Sequence, residues 1–174
     1  MKQQIVIVCG PDMCGKTQIA KELARQLEIP YFKASSEHDT YLSRKTLFIN
    51  QLRYADTRVV DLLTQTGHSI IFDRAYPCEW VYSAVMGRDT DLKVLMKVDT
   101  AFATLGAKIV ICHRSSYKGI LDDIDANINE NKLIELADAY REFAELTKCE
   151  IMFLNVDDED LTREVNEITE WLNK

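Results

Sequence analysis

The strongest constraint on this chain lies in its first seventeen residues. An apolar, largely β-branched run, Ile5-Val6-Ile7-Val8-Cys9, leads directly into Gly10-Pro11-Asp12-Met13-Cys14-Gly15-Lys16-Thr17. From Lys16 to Leu27 the apolar residues Ile19, Ala20, Leu23, Ala24 and Leu27 then fall at helical spacing. The first run reads as a strand buried on both faces, and the last as a helix with one apolar stripe. The eight residues between them match G-x-x-x-x-G-K-[ST], and each type answers a physical need. The glycines let the backbone curl until successive N–H groups point inward at phosphate oxygens. The helix opening near Lys16 adds its positive end. Lys16 can reach β and γ phosphates, and the Thr17 hydroxyl can ligate Mg²⁺. At ordinary residue usage the pattern arises by chance in roughly one in 200 chains of this size. Its seat between a strand and a helix makes accident rarer still.

The remaining sequence repeats this alternation. Strand-like runs are read at Pro30–Lys33, Ser69–Phe72, Ala107–Cys112 and Glu150–Val156. Helical spacing runs over Leu47–Thr66, closed by Gly67, and over Glu79–Met86, Leu92–Leu105, Lys132–Lys148 and Leu161–Leu172. Ser35–Arg44 reads as a loop, and Ser115–Asn129 as a loop or broken helix. Five strands alternating with helices predict an α/β fold with a parallel sheet covered on both faces. The 174 residues fit a single domain, 1–174, with 115–129 as a candidate lid.

Charge narrows the choice of partners. Lys plus Arg number 21 and Asp plus Glu 28, a net charge of −7. Such a surface repels a phosphate backbone, so a nucleic-acid coat or an anionic membrane is not expected. Cys9, Cys14, Cys78, Cys112 and Cys149 are odd in number and form no C-x-x-C pair. They predict a reduced, cytoplasmic protein without a structural zinc site. The N-terminal apolar run is too short for a signal peptide, and no stretch approaches a membrane span. His38, His68 and His113 have no metal-ligand spacing. Asp157-Asp158-Glu159-Asp160 reads as a cap for the last helix, and Trp171 on that helix as a core or interface anchor.

A second chemical element is Ser69-Ile70-Ile71-Phe72-Asp73-Arg74. An apolar strand ending in Asp delivers a carboxylate to the carboxyl edge of the sheet, where it can hold Mg²⁺ or its waters. Arg74 beside it can clamp a phosphate through two N–H groups. A GTPase should carry N-K-x-D, and Asn131-Lys132-Leu133-Ile134 lacks the Asp. The length leaves no room for a motor or transporter apparatus. A small-molecule kinase remains.

On these residues the chain resembles the thymidylate-kinase-like group of P-loop nucleotide kinases. Asp12 stands where those kinases place a loop carboxylate. Asp73-Arg74-Ala75-Tyr76 looks like their D-R-[YFH] segment, and Leu47–Gly67 like their base-reading helix. The resemblance implies a five-stranded parallel sheet in the order 2-3-1-4-5. It further implies ATP- and Mg²⁺-dependent phosphoryl transfer to a deoxynucleoside monophosphate, of the pyrimidine type. Carried over by position, Asp12, Lys16 and Arg74 would be catalytic. Gly10 to Thr17 (Gly10, Pro11, Asp12, Met13, Cys14, Gly15, Lys16, Thr17) together with Arg114 would hold the nucleotide donor, and Thr17 with Asp73 the metal. Lys33, Arg74 and Tyr76 would face the acceptor, with Trp80 and Tyr82 as further aromatic candidates. Counting back from Gly67 points to Arg53 as the base-reading residue, with Ile49 or Phe48 where the stacking ring would be and Phe48 favoured. Tyr54 with Arg58 preserves the ring-to-arginine spacing on a shorter helix, so both pairs stand.

The chain departs from the group in its cations. Position 13 is Met, and the candidate lid offers Lys118 among Asp122, Asp123 and Asp125, leaving Arg114 as the nearest additional positive charge. Two rival readings follow. A kinase acting on a nucleoside hydroxyl would use Asp12 or Asp73 as general base. A non-catalytic ATP-binding switch would retain the loop without transfer. Small-molecule nucleotides are the expected partners, and a homodimer is compatible with the sequence.

Overall fold

The computed structural model of the protein describes residues 3–33, 58–88, 90–120 and 128–174. In chain order its elements begin with β1 (Ile5–Cys9), α1 (Lys16–Leu27) and β2 (Tyr31–Lys33). A helical stretch over 58–66, here α2, is followed by β3 (Ile70–Asp73) and α3 (Tyr76–Val85). The chain then forms α4 (Leu92–Thr104), β4 (Lys108–His113), α5 (Glu130–Leu146), β5 (Glu150–Asn155) and α6 (Leu161–Leu172).

The strands form one parallel sheet in the order β2-β3-β1-β4-β5, as the resemblance implies. β1 is central: Val8 pairs with Asp73 on one side and with Val110 on the other. Successive strand residues face opposite sides of a sheet, and all five residues of β1 are buried. Both faces are therefore covered. α1 packs with α6, and α3 packs with α4 and α5. Burying each β-branched side chain of β1 contributes about 1.5–3 kcal/mol, which makes this strand the anchor of the loop that leaves it.

Two boundaries show local chemistry. Gly67, at φ +65°, ends α2 by donating its N–H to the Leu63 carbonyl, the C-cap expected of it. α3 begins at Tyr76, three residues before the Glu79 expected from sequence, because Pro77 fits a first helical turn. There its missing N–H costs nothing. Asp160 caps α6 as expected, accepting the N–H of Arg163 at 3.1 Å. All five cysteines are free and buried. Among the described residues no helix is long and apolar enough to cross a membrane.

Candidate active site

The loop between β1 and α1 is shaped by close approach to β4. Gly10 has φ +139°, and a Cβ built there would lie 2.2 Å from the Cys112 carbonyl oxygen. Only glycine lets the loop leave β1 so near its neighbour. Gly15, at φ +63°, caps α1 without any side-chain hydrogen bond, and the first turn of α1 carries no acid. Among the described residues the helix thus opens without a side-chain cap or an acid on its first N–H groups, as an anion site needs. Met13 also adopts a left-handed conformation, at φ +61°. For a residue with a side chain this costs on the order of 1–3 kcal/mol and persists only where neighbours hold it.

Asp12 gathers the cations. Its Oδ1 accepts from Arg74 Nη2 at 2.6 Å and lies 3.7 Å from Lys16 Nζ. Its Oδ2 accepts from the Tyr82 hydroxyl at 2.7 Å. Lys16 is buried and also donates to the Pro11 carbonyl, so its ammonium is turned back onto its own loop. Burial pushes the Asp12 carboxyl up, but Lys16, Arg74 and the bond from Tyr82 outweigh it and hold it below its ordinary range. Burial conversely drives the Tyr82 phenol well up, so Tyr82 remains a donor. Arg74 itself sits at φ +67°, with its N–H bound to the Val8 carbonyl at 3.0 Å. This backbone turn carries the guanidinium from the end of β3 to the loop.

Thr17 and Asp73 make the second cluster. Thr17 Oγ1 donates to Asp73 Oδ2 at 2.7 Å, and the Tyr31 hydroxyl donates to the same oxygen at 2.8 Å. Asp73 is fully buried, and its Oδ1 has no hydrogen-bond partner among the described residues. A buried carboxylate oxygen left bare is costly, and a hydroxyl beside it completes an all-oxygen donor set suited to a hard cation. The residues present therefore fit Mg²⁺. A cavity of about 260 Å³ lined by Pro11, His113, Tyr140, Arg141 and Phe153 lies nearby. None of Asp12, Lys16, Thr17, Asp73 or Arg74 lines it, so convergent polar groups mark the site better than cavity size does.

No protein-family model matches the sequence, and no curated protein matches it. Solved structures do. The YorR protein of Bacillus subtilis, crystallised in complex with phosphorylated GDP, superposes with a TM-score of 0.73 at 18% identity. That match covers 97% of this chain and 95% of the other. Thymidylate kinase from Ehrlichia chaffeensis gives 0.69 at 15% identity over 99% and 100% of the two chains. Deoxyadenosine kinase from M. mycoides, bound to dCMP and dCDP, gives 0.61 at 20% identity over 97% and 98%. The fold is that of the P-loop nucleotide kinases.

Within this kinase fold the candidate residues separate into groups. Asp12, Lys16, Thr17, Asp73 and Arg74 converge at the end of β1 and β3. Lys33 closes β2 opposite Asp73. Arg58 is the exposed first described residue of α2, whereas Phe48, Arg53, Tyr54 and positions 121–127 of the candidate lid lie outside the described residues. Arg114 is placed against the loop: its Nε donates to the Met13 carbonyl at 3.0 Å and its Nη2 to Glu159 Oε1 at 2.6 Å.

The acceptor role expected for Tyr76 is corrected. Tyr76 is fully buried, stacks on Phe102 with ring centroids 5.3 Å apart, and donates to Asp99 Oδ1 at 2.7 Å. Because α3 starts at this residue, its ring enters the core beneath the helix and leaves nothing for a substrate. Trp80 packs edge-on against Phe143 at 5.4 Å. Of the three aromatics after Arg74, Tyr82 reaches the site. Tyr31, which donates to Asp73, and Glu159, which holds Arg114, carry no local sequence signal that singles them out. Tyr31 is the residue paired with Ile71, two before Asp73, a relation visible only once the strands are in register.

Proposed function

We propose that this chain is a nucleotide kinase that transfers the γ-phosphoryl group of ATP, with Mg²⁺, to a deoxynucleoside monophosphate of the pyrimidine type. The observation that carries this reading is the meeting of Lys16 and Arg74 on one oxygen of Asp12. Two cations from separate elements, the P-loop and the turn after β3, are thereby focused on one point. Phosphoryl transfer demands little covalent chemistry from a protein and much positive charge aimed at the moving group.

In this reading Lys16 leaves the Pro11 carbonyl to meet the donor phosphates, while the loop amides and the start of α1 cradle them. Arg74 holds the acceptor phosphate in line. An oxygen of the acceptor phosphate bonds to the γ-phosphorus as the bond to the β–γ bridging oxygen breaks, releasing ADP. The attacking phosphate is already a nucleophile at neutral pH, so no general base is required, in keeping with an ionised Asp12. Asp12 orients Arg74 and the acceptor, and Tyr82 fixes the carboxylate from behind. Thr17 and Asp73 would hold Mg²⁺, which when bound neutralises charge on the β and γ phosphate oxygens. The kinases named among the similar folds act in support of this reading, and the pyrimidine preference rests on the Leu47–Gly67 resemblance.

A kinase for unphosphorylated deoxynucleosides is the second reading, favoured by the similarity to a deoxyadenosine kinase. The two readings part on the acceptor. Incubation with ATP and Mg²⁺ against nucleosides and nucleoside monophosphates, following ADP release, distinguishes them. Turnover with monophosphates supports the proposal. Turnover with nucleosides alone overturns it in favour of the second.

A further inference from the structure

We infer that Arg114 and Glu159 form an external latch that fixes the direction of the Cys14 amide, making both of them positioning residues for the donor phosphates. The inference rests on the donor-site reading above and adds residues to it. Arg114, leaving β4, reaches across to the P-loop: its Nε donates to the Met13 carbonyl at 3.0 Å, and its Nη2 is held by Glu159 Oε1 at 2.6 Å. The Arg114 side chain is 14% exposed, so the contact is sheltered although Glu159 is 71% exposed. Two further contacts stiffen the same segment. Arg114 N–H meets the Tyr117 hydroxyl at 3.3 Å, and that hydroxyl lies 3.8 Å from Cys14 Sγ. Ser115 N–H donates to Asp157 Oδ1 at 3.0 Å, tying the segment to the loop that carries Glu159.

The consequence follows from peptide geometry. In a trans peptide the carbonyl and the following N–H point in opposite directions. No peptide in the described residues is cis. Holding the Met13 carbonyl outward on Arg114 therefore turns the Cys14 N–H to the other side, into the curl of the loop where phosphate oxygens would sit. A glycine at position 13 could take its φ of +61° without strain, but methionine cannot, so the loop needs an outside restraint. Arg114 supplies that restraint, and Glu159 keeps the guanidinium aligned with the carbonyl.

The test is equilibrium binding of inorganic tripolyphosphate with Mg²⁺, a probe that has no base or sugar and needs no acceptor. Binding is measured by calorimetry for the wild type, Arg114→Ala, Glu159→Ala and Glu159→Gln, with each Tm recorded. Glu159→Ala should weaken binding roughly tenfold, as loss of one charge-assisted amide contact does. Arg114→Ala should weaken it at least as much, and Glu159→Gln, which still accepts from Arg114, should retain most of it. The ¹⁵N-amide resonance of Cys14 should move strongly on binding in the wild type and little in Glu159→Ala. Binding by Glu159→Ala equal to or tighter than wild type overturns the latch, since a freed Arg114 would then be acting on the phosphate directly. A wild type that binds neither tripolyphosphate nor ATP overturns the donor-site reading, and the latch with it.

Discussion

Thr17 and Asp73 stand 56 residues apart in sequence, yet the Thr17 hydroxyl donates to Asp73 Oδ2 at 2.7 Å while Asp73 Oδ1 is buried with no partner among the described residues. Parallel pairing of β1 with β3 creates this relation, since it sets Asp73 opposite Val8 just before the loop that delivers Thr17. The bare oxygen beside a hydroxyl is what a hard cation would complete. Asp73→Asn should therefore abolish the rise in Tm that Mg²⁺ with ADP gives the wild type, and lower turnover at least ~100-fold. Thermal denaturation with and without Mg²⁺ checks this. An undiminished Mg²⁺-dependent shift in the variant contradicts the assignment.

Arg74 binds Asp12 Oδ1 at 2.6 Å and is proposed to hold the acceptor phosphate. Arg74→Ala should cost roughly 2–4 kcal/mol of transition-state stabilisation, about 30- to 1000-fold in kcat/KM for the acceptor. Arg74→Lys should recover part of this, because a point charge replaces the charge without the two-pronged geometry. The KM for ATP should change little in either. Steady-state kinetics with each substrate varied in turn will show whether the loss falls on the donor instead.

Gly10 cannot gain a side chain without moving β4. A Cβ there would sit 2.2 Å from the Cys112 carbonyl oxygen, and φ is +139°. Gly10→Ala should lower stability by about 3 kcal/mol or more, or prevent folding, before any question of phosphate binding arises. Gly106→Ala, also at positive φ but with nothing within 4 Å among the described residues, should cost only the backbone strain, about 1 kcal/mol. Urea denaturation of the pair separates collision from strain. Equal losses in the two variants contradict the steric account.

The Asp12 carboxyl is held below its ordinary value of 3.8, since the cations and Tyr82 outweigh burial. The unfolded chain thus binds a proton at this group before the folded chain does as pH falls. The stabilisation from its partners is complete above the unfolded value and is lost as pH drops through the lower folded value. The Tm difference between wild type and Asp12→Asn should be constant from about pH 5 to 7 and shrink below about pH 4. The same ionisation means that Asp12 adds no acidic limb to the activity profile above about pH 5. A limb near pH 6 that vanishes in Asp12→Asn contradicts this.

The sequence made legible whatever depends on local pattern. Ile5–Cys9 is apolar throughout because it is the central strand, and Gly10 to Thr17 stands out because close backbone approach at Gly10 and the proposed phosphate binding permit few residue types. Asp73 and Arg74 were recognisable from an apolar strand ending in polar residues. What escaped depends on tertiary register. Tyr31 reaches Asp73 through β2–β3 pairing, and Tyr82 reaches Asp12 from the second turn of α3. Glu159 reaches Arg114 across 45 residues. Tyr76 misled because adjacency to Arg74 in sequence is not adjacency in space. The left-handed turn at Arg74 sends the two side chains apart, Arg74 to the loop and Tyr76 into the core beside Asp99.

The central claim is phosphoryl transfer between nucleotides through Lys16 and Arg74. Its most direct test is incubation of the wild type, Lys16→Ala and Arg74→Ala with γ-³²P-labelled ATP, Mg²⁺ and a panel of deoxynucleosides and their monophosphates, followed by separation of labelled products. The account predicts a labelled deoxynucleoside diphosphate, formed from a pyrimidine monophosphate by the wild type and reduced at least ~100-fold in both variants. Label appearing only in nucleoside monophosphates, or in no acceptor at all, contradicts it.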